Sequence, residues 1–413
     1  MSDHRTALLL VLDGLGDRLV KELGNRTSLQ AAETPNLDRL AKEGQSGLMD
    51  VLGPGLTPGS DTAHLTLFGY DYTKVYPGRG PLEALGAGLP SKPGDVAFRL
   101  NFATIDKDGV VVDRRAGRVF TSDEHRALEK ALAGIEVDGV KVHVVATVEH
   151  RGALVLEGKG LSGDISDNDP HETGKKALEI KALSDDAART ADIANKVVKI
   201  AHERLHDIEV NKRREKNGLP QANMILLRGA GKHADIQPLK ERFGISSICL
   251  AGGALYIGCA KYVGMDYVAV EGQTGTIDTN FQNIGSKAIE CIKDGVNYLF
   301  VHIKATDNAG HDGNAAEKVL AIERTDAMVG RIVQEVGDRI VMAVTGDHTT
   351  SPTVGEHTCD PVPLVLWSDF IRPDAVERYS EIDAAEGALN GIRGSELMHL
   401  LLGYAGYIEK VGA

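Results

Sequence analysis

Apolar residues along this 413-residue chain follow two rhythms. In the first and last parts, short continuous apolar runs alternate with longer segments of helical period. Thr6 to Leu12 reads Thr-Ala-Leu-Leu-Leu-Val-Leu, the pattern of a strand buried on both faces. Residues 46–52 read as another strand, and 224–227, 247–251, 267–270, 298–303, 340–344 and 363–367 read as further buried strands. Between them, helices are predicted from Thr34-Pro35-Asn36, with Pro35 at the first helical position and Leu37, Leu40 and Ala41 on one face, and over 61–68, 253–262, 284–293, 315–336 and 395–403. Alternation of this kind predicts an α/β fold, with a mainly parallel sheet flanked by helices.

From Tyr76 the rhythm changes to period two. Residues 96–105, 109–113, 141–149 and 152–157 read as strands around a helix at 122–132 capped by Ser122. A long amphipathic helix is predicted over 185–214, where Ile193, Val197, Ala201, Leu205 and Ile208 share a face. The expected organisation is a core of residues 1–75 and 220–413 carrying a smaller inserted α+β domain at 76–219, with 185–219 assignable to either.

Composition adds exclusions. Hydrophobic content of 42% and charged content of 25% are those of a globular protein. A net charge of -13 and the lack of a basic tail argue against nucleic-acid binding. The four cysteines have no CxxC spacing, as expected of reduced thiols. The apolar run ending at Leu12 is too short for a leader or a membrane span. The expectation is a soluble cytoplasmic protein without membrane partners; self-association into a homo-oligomer is left open.

Chemistry concentrates at strand ends. Asp13 follows the first strand, Asp307 and His311 follow the 298–303 strand, and Asp347-His348 follows the 340–344 strand, with His357 before the last. In a parallel sheet such ends share one edge, where open α/β folds place ligands. Three aspartates and three histidines form a hard-to-borderline donor set, enough for two divalent ions. The 304–314 stretch is expected to be a polar loop, and Cys359 is an alternative ligand to His357. A calcium loop starting at Asp307 is rejected, since its twelfth position is Lys318. Gly229-Ala230-Gly231-Lys232 lacks the spacing of a phosphate loop. Ser60 falls at a predicted helix start after a Gly- and Pro-rich loop, either as an N-cap or where an anion is favoured.

The order Asp13-Gly14, Pro58-Gly59-Ser60, Asp307-x-x-x-His311, Gly346-Asp347-His348-x-Thr350 and a lone His357 resembles the alkaline-phosphatase superfamily. With Glu33-Thr34-Pro35-Asn36, Gly78-Arg79-Gly80-Pro81 and Asp167 to His171, the whole chain resembles the archaeal-type branch of cofactor-independent phosphoglycerate mutases. The resemblance implies interconversion of 3-phosphoglycerate and 2-phosphoglycerate, a small-molecule substrate, without added 2,3-bisphosphoglycerate. It also implies one metal held by Asp307, His311 and His357, and another held by Asp13, Ser60, Asp347 and His348, with Ser60 as nucleophile. The cofactors expected are two divalent ions, Mn2+ first, with Mg2+, Co2+ or Zn2+ compatible. A closing insertion would add cations for the substrate's carboxylate and phosphate. Candidates are Arg79, Arg99, Arg115, Arg118 and Arg228, with Arg114 in the same cluster, His171 as an acid or base, and Lys304 within reach of the pocket. A homoserine kinase-like relative or a metal-dependent phosphatase or phosphodiesterase would share the ligands. A non-catalytic metal-binding protein fits poorly, because Ser60 and the full ligand set are retained.

Overall fold

The structure, a computed structural model, describes residues 4–410 and residue 412. The chain divides into two compact units, one made of residues up to Val75 and from Gln237 onward, the other of Tyr76–Ile236.

The first unit is built on an eight-stranded sheet. Its strand order is Asp266–Tyr267, Ser247–Leu250, Tyr298–Ile303, Thr6–Leu12, Ile340–Thr345, Val362–Trp367, Gln45–Asp50 and Ile392–Arg393. Thr6–Leu12 runs parallel to both neighbours, pairing Leu10 with Val301 and with Val344. Every residue of these three strands is buried, which is why they read as unbroken apolar runs. Val362–Trp367 runs antiparallel to both of its neighbours. Its first residues therefore lie at the edge where the parallel strands end, and the segment leading into it, with His357, stays at that edge.

The helices cover the sheet as their apolar faces require. Ala315–Val336 buries Ala321, Ile322, Val329, Ile332 and Val336. Its first turn is capped by the Asn314 side chain, which accepts from the Glu317 N–H at 3.1 Å. Among the described residues, no helix is long and apolar enough to cross a membrane.

Several expectations are corrected. The 304–314 loop is mostly helix, Ala305–His311. Asn308 and Gly310 disguise it as a turn. Tertiary bonds hold it instead: the Thr306 hydroxyl donates to the Asp13 carbonyl at 2.5 Å, and the Asn308 amide donates to the Gly275 carbonyl. Gly310 is required because a Cβ there would lie 2.3 Å from the Thr350 carbonyl oxygen. The 267–270 strand shrinks to Asp266–Tyr267.

The second unit is an antiparallel sheet with Val96–Ile105 at its centre, flanked by Arg151–Glu157 and by Met224–Lys232. Met224–Lys232 had been expected in the core sheet. Its pairing with Val96–Ile105, from Ala103 opposite Met224 to Val96 opposite Lys232, draws 220–236 into this unit. The 185–214 helix is three pieces: a short 3-10 turn at Asp185–Ala187, then Ala188–His206 and Glu209–Lys216, with Asp207 and Ile208 outside helical geometry. Thr121, not Ser122, caps Ser122–Leu132, and Glu124 completes the capping box.

Gly310→Ala is expected to lower stability by about 1–3 kcal/mol, the usual cost of overpacking. Urea unfolding measures it, and an unchanged midpoint would contradict the close approach to Thr350.

Candidate active site

The sheet edge of the first unit collects six of the predicted side chains and Ser60. Asp13, Asp347 and His348 are fully buried, and Asp307 nearly so. One ligand atom each from Asp13, Asp347 and His348 lie within 4.8 Å of one another, as do those of Asp307, His348 and His357. His348 therefore stands between two groups. His311 Nε2 is 3.3 Å from Asp307 Oδ1, the two residues being one turn apart on the same helix face.

Hydrogen bonds settle which nitrogen of each histidine faces the pocket. His311 Nδ1 is 2.8 Å from the Gly355 carbonyl, and His357 Nδ1 is 2.8 Å from the Pro58 carbonyl. A carbonyl only accepts, so both Nδ1 atoms carry protons and both Nε2 atoms face Asp307. The Thr350 hydroxyl donates to Asp307 Oδ1 at 2.9 Å, so it accepts from His348 Nδ1, also at 2.9 Å. His348 Nε2 is left to face Asp13 Oδ1 and Asp347 Oδ2, each at 3.2 Å. Neither carboxylate oxygen has any other hydrogen-bond donor.

That geometry requires positive charge. Buried carboxylate oxygens converging on an imidazole repel one another unless a cation lies among them. Without a metal, a proton answers the demand: burial alone would lower the His348 pKa, but Asp347 and Asp13 outweigh it and hold it up to about 10. Burial likewise lifts Asp13, while Lys304, His302 and His348 pull it well below the usual carboxylate range. Lys304 Nζ bridges the two groups, 3.2 Å from Asp13 Oδ2 and 2.8 Å from Asp307 Oδ2, and donates to the Tyr256 hydroxyl at 2.8 Å. A divalent ion suits this set on two counts: the donors are carboxylate and imidazole, and each histidine's second nitrogen is already anchored.

Ser60 occupies the first turn of Ser60–Leu67, and Gly59 is the N-cap. Its side chain is thus not a capping group. Ser60 Oγ lies 3.3 Å from His348 Nε2, beside the helix N-terminus where an anion is favoured. The buried His64 donates through Nδ1 to the Ser60 carbonyl at 2.6 Å. Burial holds His64 below its ordinary pKa, in the neutral form.

In residues 76–236 the arginines form their own group. The sheet register sets Arg99 opposite Arg228 and Asn101 opposite Arg151, with Arg99 and Asn101 two apart on one face. Burial lowers the Arg99 pKa first, and the neighbouring charges of Arg79, Arg228 and Arg151 lower it further. Glu83 answers part of this charge, 3.1 Å from Arg79 and 3.6 Å from Arg99. Arg114 is committed to a bidentate pair with Asp169. Arg115 and Arg118 are exposed, and no ion pair holds either among the described residues. His171 is exposed, at φ 62, with Nε2 3.4 Å from Asp167.

Residues 41–211 match the 2,3-bisphosphoglycerate-independent phosphoglycerate mutase family. The chain is 45% identical over 409 residues to the 2,3-bisphosphoglycerate-independent phosphoglycerate mutase 1 of Methanocaldococcus jannaschii, covering 98% of each chain. It is 47% identical over 414 residues to the enzyme of that name from Ignicoccus hospitalis, covering 98% of this chain and 99% of the other. This chain belongs to that family. Among solved structures, the cofactor-independent phosphoglycerate mutase of Thermoplasma acidophilum is similar with a TM-score of 0.77 and 38% identity, over 97% of this chain and 100% of that one. The mutase family resemblance read from Asp13, Ser60 and the Asp307–His357 series thus agrees with similarity along the whole chain.

Sequence reasoning missed Thr350 as a link, and it missed Arg151, His64, Tyr256 and His302. Thr350 was visible in Gly346-Asp347-His348-Thr349-Thr350. His302 was hidden inside an apolar strand, where it is buried with Nε2 3.5 Å from Asp13 Oδ2.

The His348 shift fixes a pH dependence. A folded pKa near 10 against an ordinary 6.5 means stabilisation fully present below pH 6.5 and lost as pH rises through 10. In EDTA, the stability advantage of the wild type over His348→Gln should shrink steadily between those limits. Urea unfolding at several pH values measures it, and a constant difference would contradict the arrangement.

Proposed function

We propose that this chain is a phosphoglycerate mutase that moves a phosphoryl group between the 3- and 2-hydroxyls of glycerate through Ser60, independently of 2,3-bisphosphoglycerate. One observation carries the reading. Ser60, in a chain similar to such mutases over 98% of its length, presents its hydroxyl 3.3 Å from His348, whose Nε2 faces one buried oxygen each of Asp13 and Asp347.

The proposed metal ligands are Asp307, His311 and His357 for one ion and Asp13, Ser60, Asp347 and His348 for the other. Mn2+ is the assigned ion, since mixed carboxylate and imidazole donors suit it. When bound, the ions would lower the pKa of the Ser60 hydroxyl and neutralise phosphoryl oxygens.

The rest falls to the protein. Ser60 Oγ bonds to phosphorus as the substrate's own P–O bond breaks. The glycerate then returns its other hydroxyl to the same phosphorus, and Ser60 leaves. His64 holds the Ser60 carbonyl and with it the helix turn that aims the hydroxyl. Lys304, which pairs with Asp13 and Asp307, is assigned to the phosphoryl oxygens. Arg79, Arg99, Arg115, Arg118 and Arg228 are assigned to the substrate's carboxylate and phosphate, and Arg151 joins them. His171 serves the hydroxyls. The glycerate must be retained and water excluded, or the outcome is hydrolysis; residues 76–236 are assigned that closing role. The proposed setting is the cytoplasm, in keeping with the four free cysteines.

The test is to incubate Mn2+-loaded protein with 3-phosphoglycerate alone and follow 2-phosphoglycerate and inorganic phosphate. Formation of 2-phosphoglycerate is expected. Phosphate release without it would replace the mutase by a phosphatase. Ser60→Ala should fold and take up metal but lose at least about 1,000-fold in kcat, a loss on the scale seen when a catalytic nucleophile is removed. Near-normal turnover would remove Ser60 from the mechanism. Arg115→Ala and Arg118→Ala should raise KM more than they lower kcat, and an unchanged KM in both would release them from substrate binding.

A further inference from the structure

Lys318 is fully buried and lies outside the ligand set. It sits in the first turns of Ala315–Val336, on the face that buries Ala321, Ile322 and Thr325. An ammonium there requires partners, and it has them. Its Nζ donates to the Gly16 carbonyl and to the Thr350 carbonyl, each at 2.9 Å. Asp17 Oδ2 stands 4.0 Å away and is itself held by the Ser28 N–H at 3.0 Å and the Ser28 hydroxyl at 2.5 Å.

The two carbonyls belong to different segments of the chain that meet at the site. Gly16 ends the turn that begins at Asp13, and Leu15 and Gly16 bridge to Thr349. Thr350 is the residue whose hydroxyl joins Asp307 to His348. Packing around it leaves no slack: a Cβ at Gly14 would lie 2.6 Å from the Thr350 hydroxyl oxygen, and one at Gly16 would lie 2.0 Å from that of Thr349. One buried ammonium thus ties the Asp13 turn to the strand that anchors both His348 and Asp307.

We propose that Lys318 is a positioning residue which, through the carbonyls of Gly16 and Thr350, sets the separation of the Asp13 turn from the Thr349–Thr350 strand, whose Thr350 hydroxyl orients the ligands His348 and Asp307. The proposal rests on the metal-binding reading above. Lys318 touches no reacting atom. Its effect reaches the ligands through Thr350, and groups that orient metal ligands in this way typically carry 10- to 100-fold in affinity.

Mn2+ titration calorimetry on metal-free wild type, Lys318→Met, Thr350→Val and the double variant tests it, with circular dichroism as the check on folding. Lys318→Met should stay folded and bind at least one Mn2+ about tenfold more weakly. The double variant should lose less than the sum of the single losses, because both substitutions act through Thr350. Wild-type affinity in folded Lys318→Met, or strict additivity, would overturn the proposal. If Lys318→Met does not fold, Lys318→Gln, which keeps a donor on a shorter arm, replaces it. If neither folds, the lysine sustains the fold and not the site, and the proposal is overturned. Wild type that takes up no Mn2+ would end the metal reading and this inference together, whereas wild-type affinity in the variant would end only the inference.

Discussion

Buried negative charge at one sheet edge is the constraint on which the rest of the site depends. Asp13, Asp347 and Asp307 are carried there by three adjacent parallel strands and lose nearly all contact with water. Among the described residues, Lys304 and His348 are the groups that answer them directly with positive charge. Isolated buried carboxylates are costly, so a set like this persists only where a cation completes it. Hydrogen bonds to Thr350, Gly355 and Pro58 fix the three histidines with Nε2 inward. The pocket is thereby pre-organised to receive a cation.

The fold serves this constraint through direction. Five strands run parallel and deliver their carboxyl ends to one edge. The antiparallel Val362–Trp367 strand then returns the chain to that edge from the other sense. His357, lying just before it, meets Asp307 although fifty residues separate them along the chain, Nε2 standing 3.7 Å from Oδ1. Close packing at Gly14, Gly16 and Gly310 lets the Asp13 turn and the Ala305–His311 helix reach Thr349 and Thr350.

Much of this was legible in the sequence. Fully buried strands announce themselves as continuous apolar runs and a long amphipathic helix by its period, so the strands Thr6–Leu12 and Tyr298–Ile303 and the helix Ala315–Val336 were read at their actual limits. Strand-end aspartates and histidines followed from parallel topology. Other features were not legible, for physical reasons. Ala305–His311 is helical against its local propensity, because its stability comes from bonds to Asp13 and Gly275. Met224–Lys232 reads as a core strand, and pairing partners do not show in a single segment. Lys318 breaks the apolar face of a helix, a signal that could have been read as a buried charge with a purpose. The grouping of Arg99, Arg151 and Arg228 depends on strand register, which one sequence does not display.

The central claim is that the phosphoryl group passes through Ser60. Rapid acid quench of the Mn2+-loaded protein turning over 3-phosphoglycerate, followed by mass spectrometry of the peptide containing Ser60, tests it most directly. A phosphoryl group on Ser60 that disappears when substrate is exhausted is the predicted result. Turnover with no phosphoryl group on Ser60, or with one on a different side chain, would contradict the account.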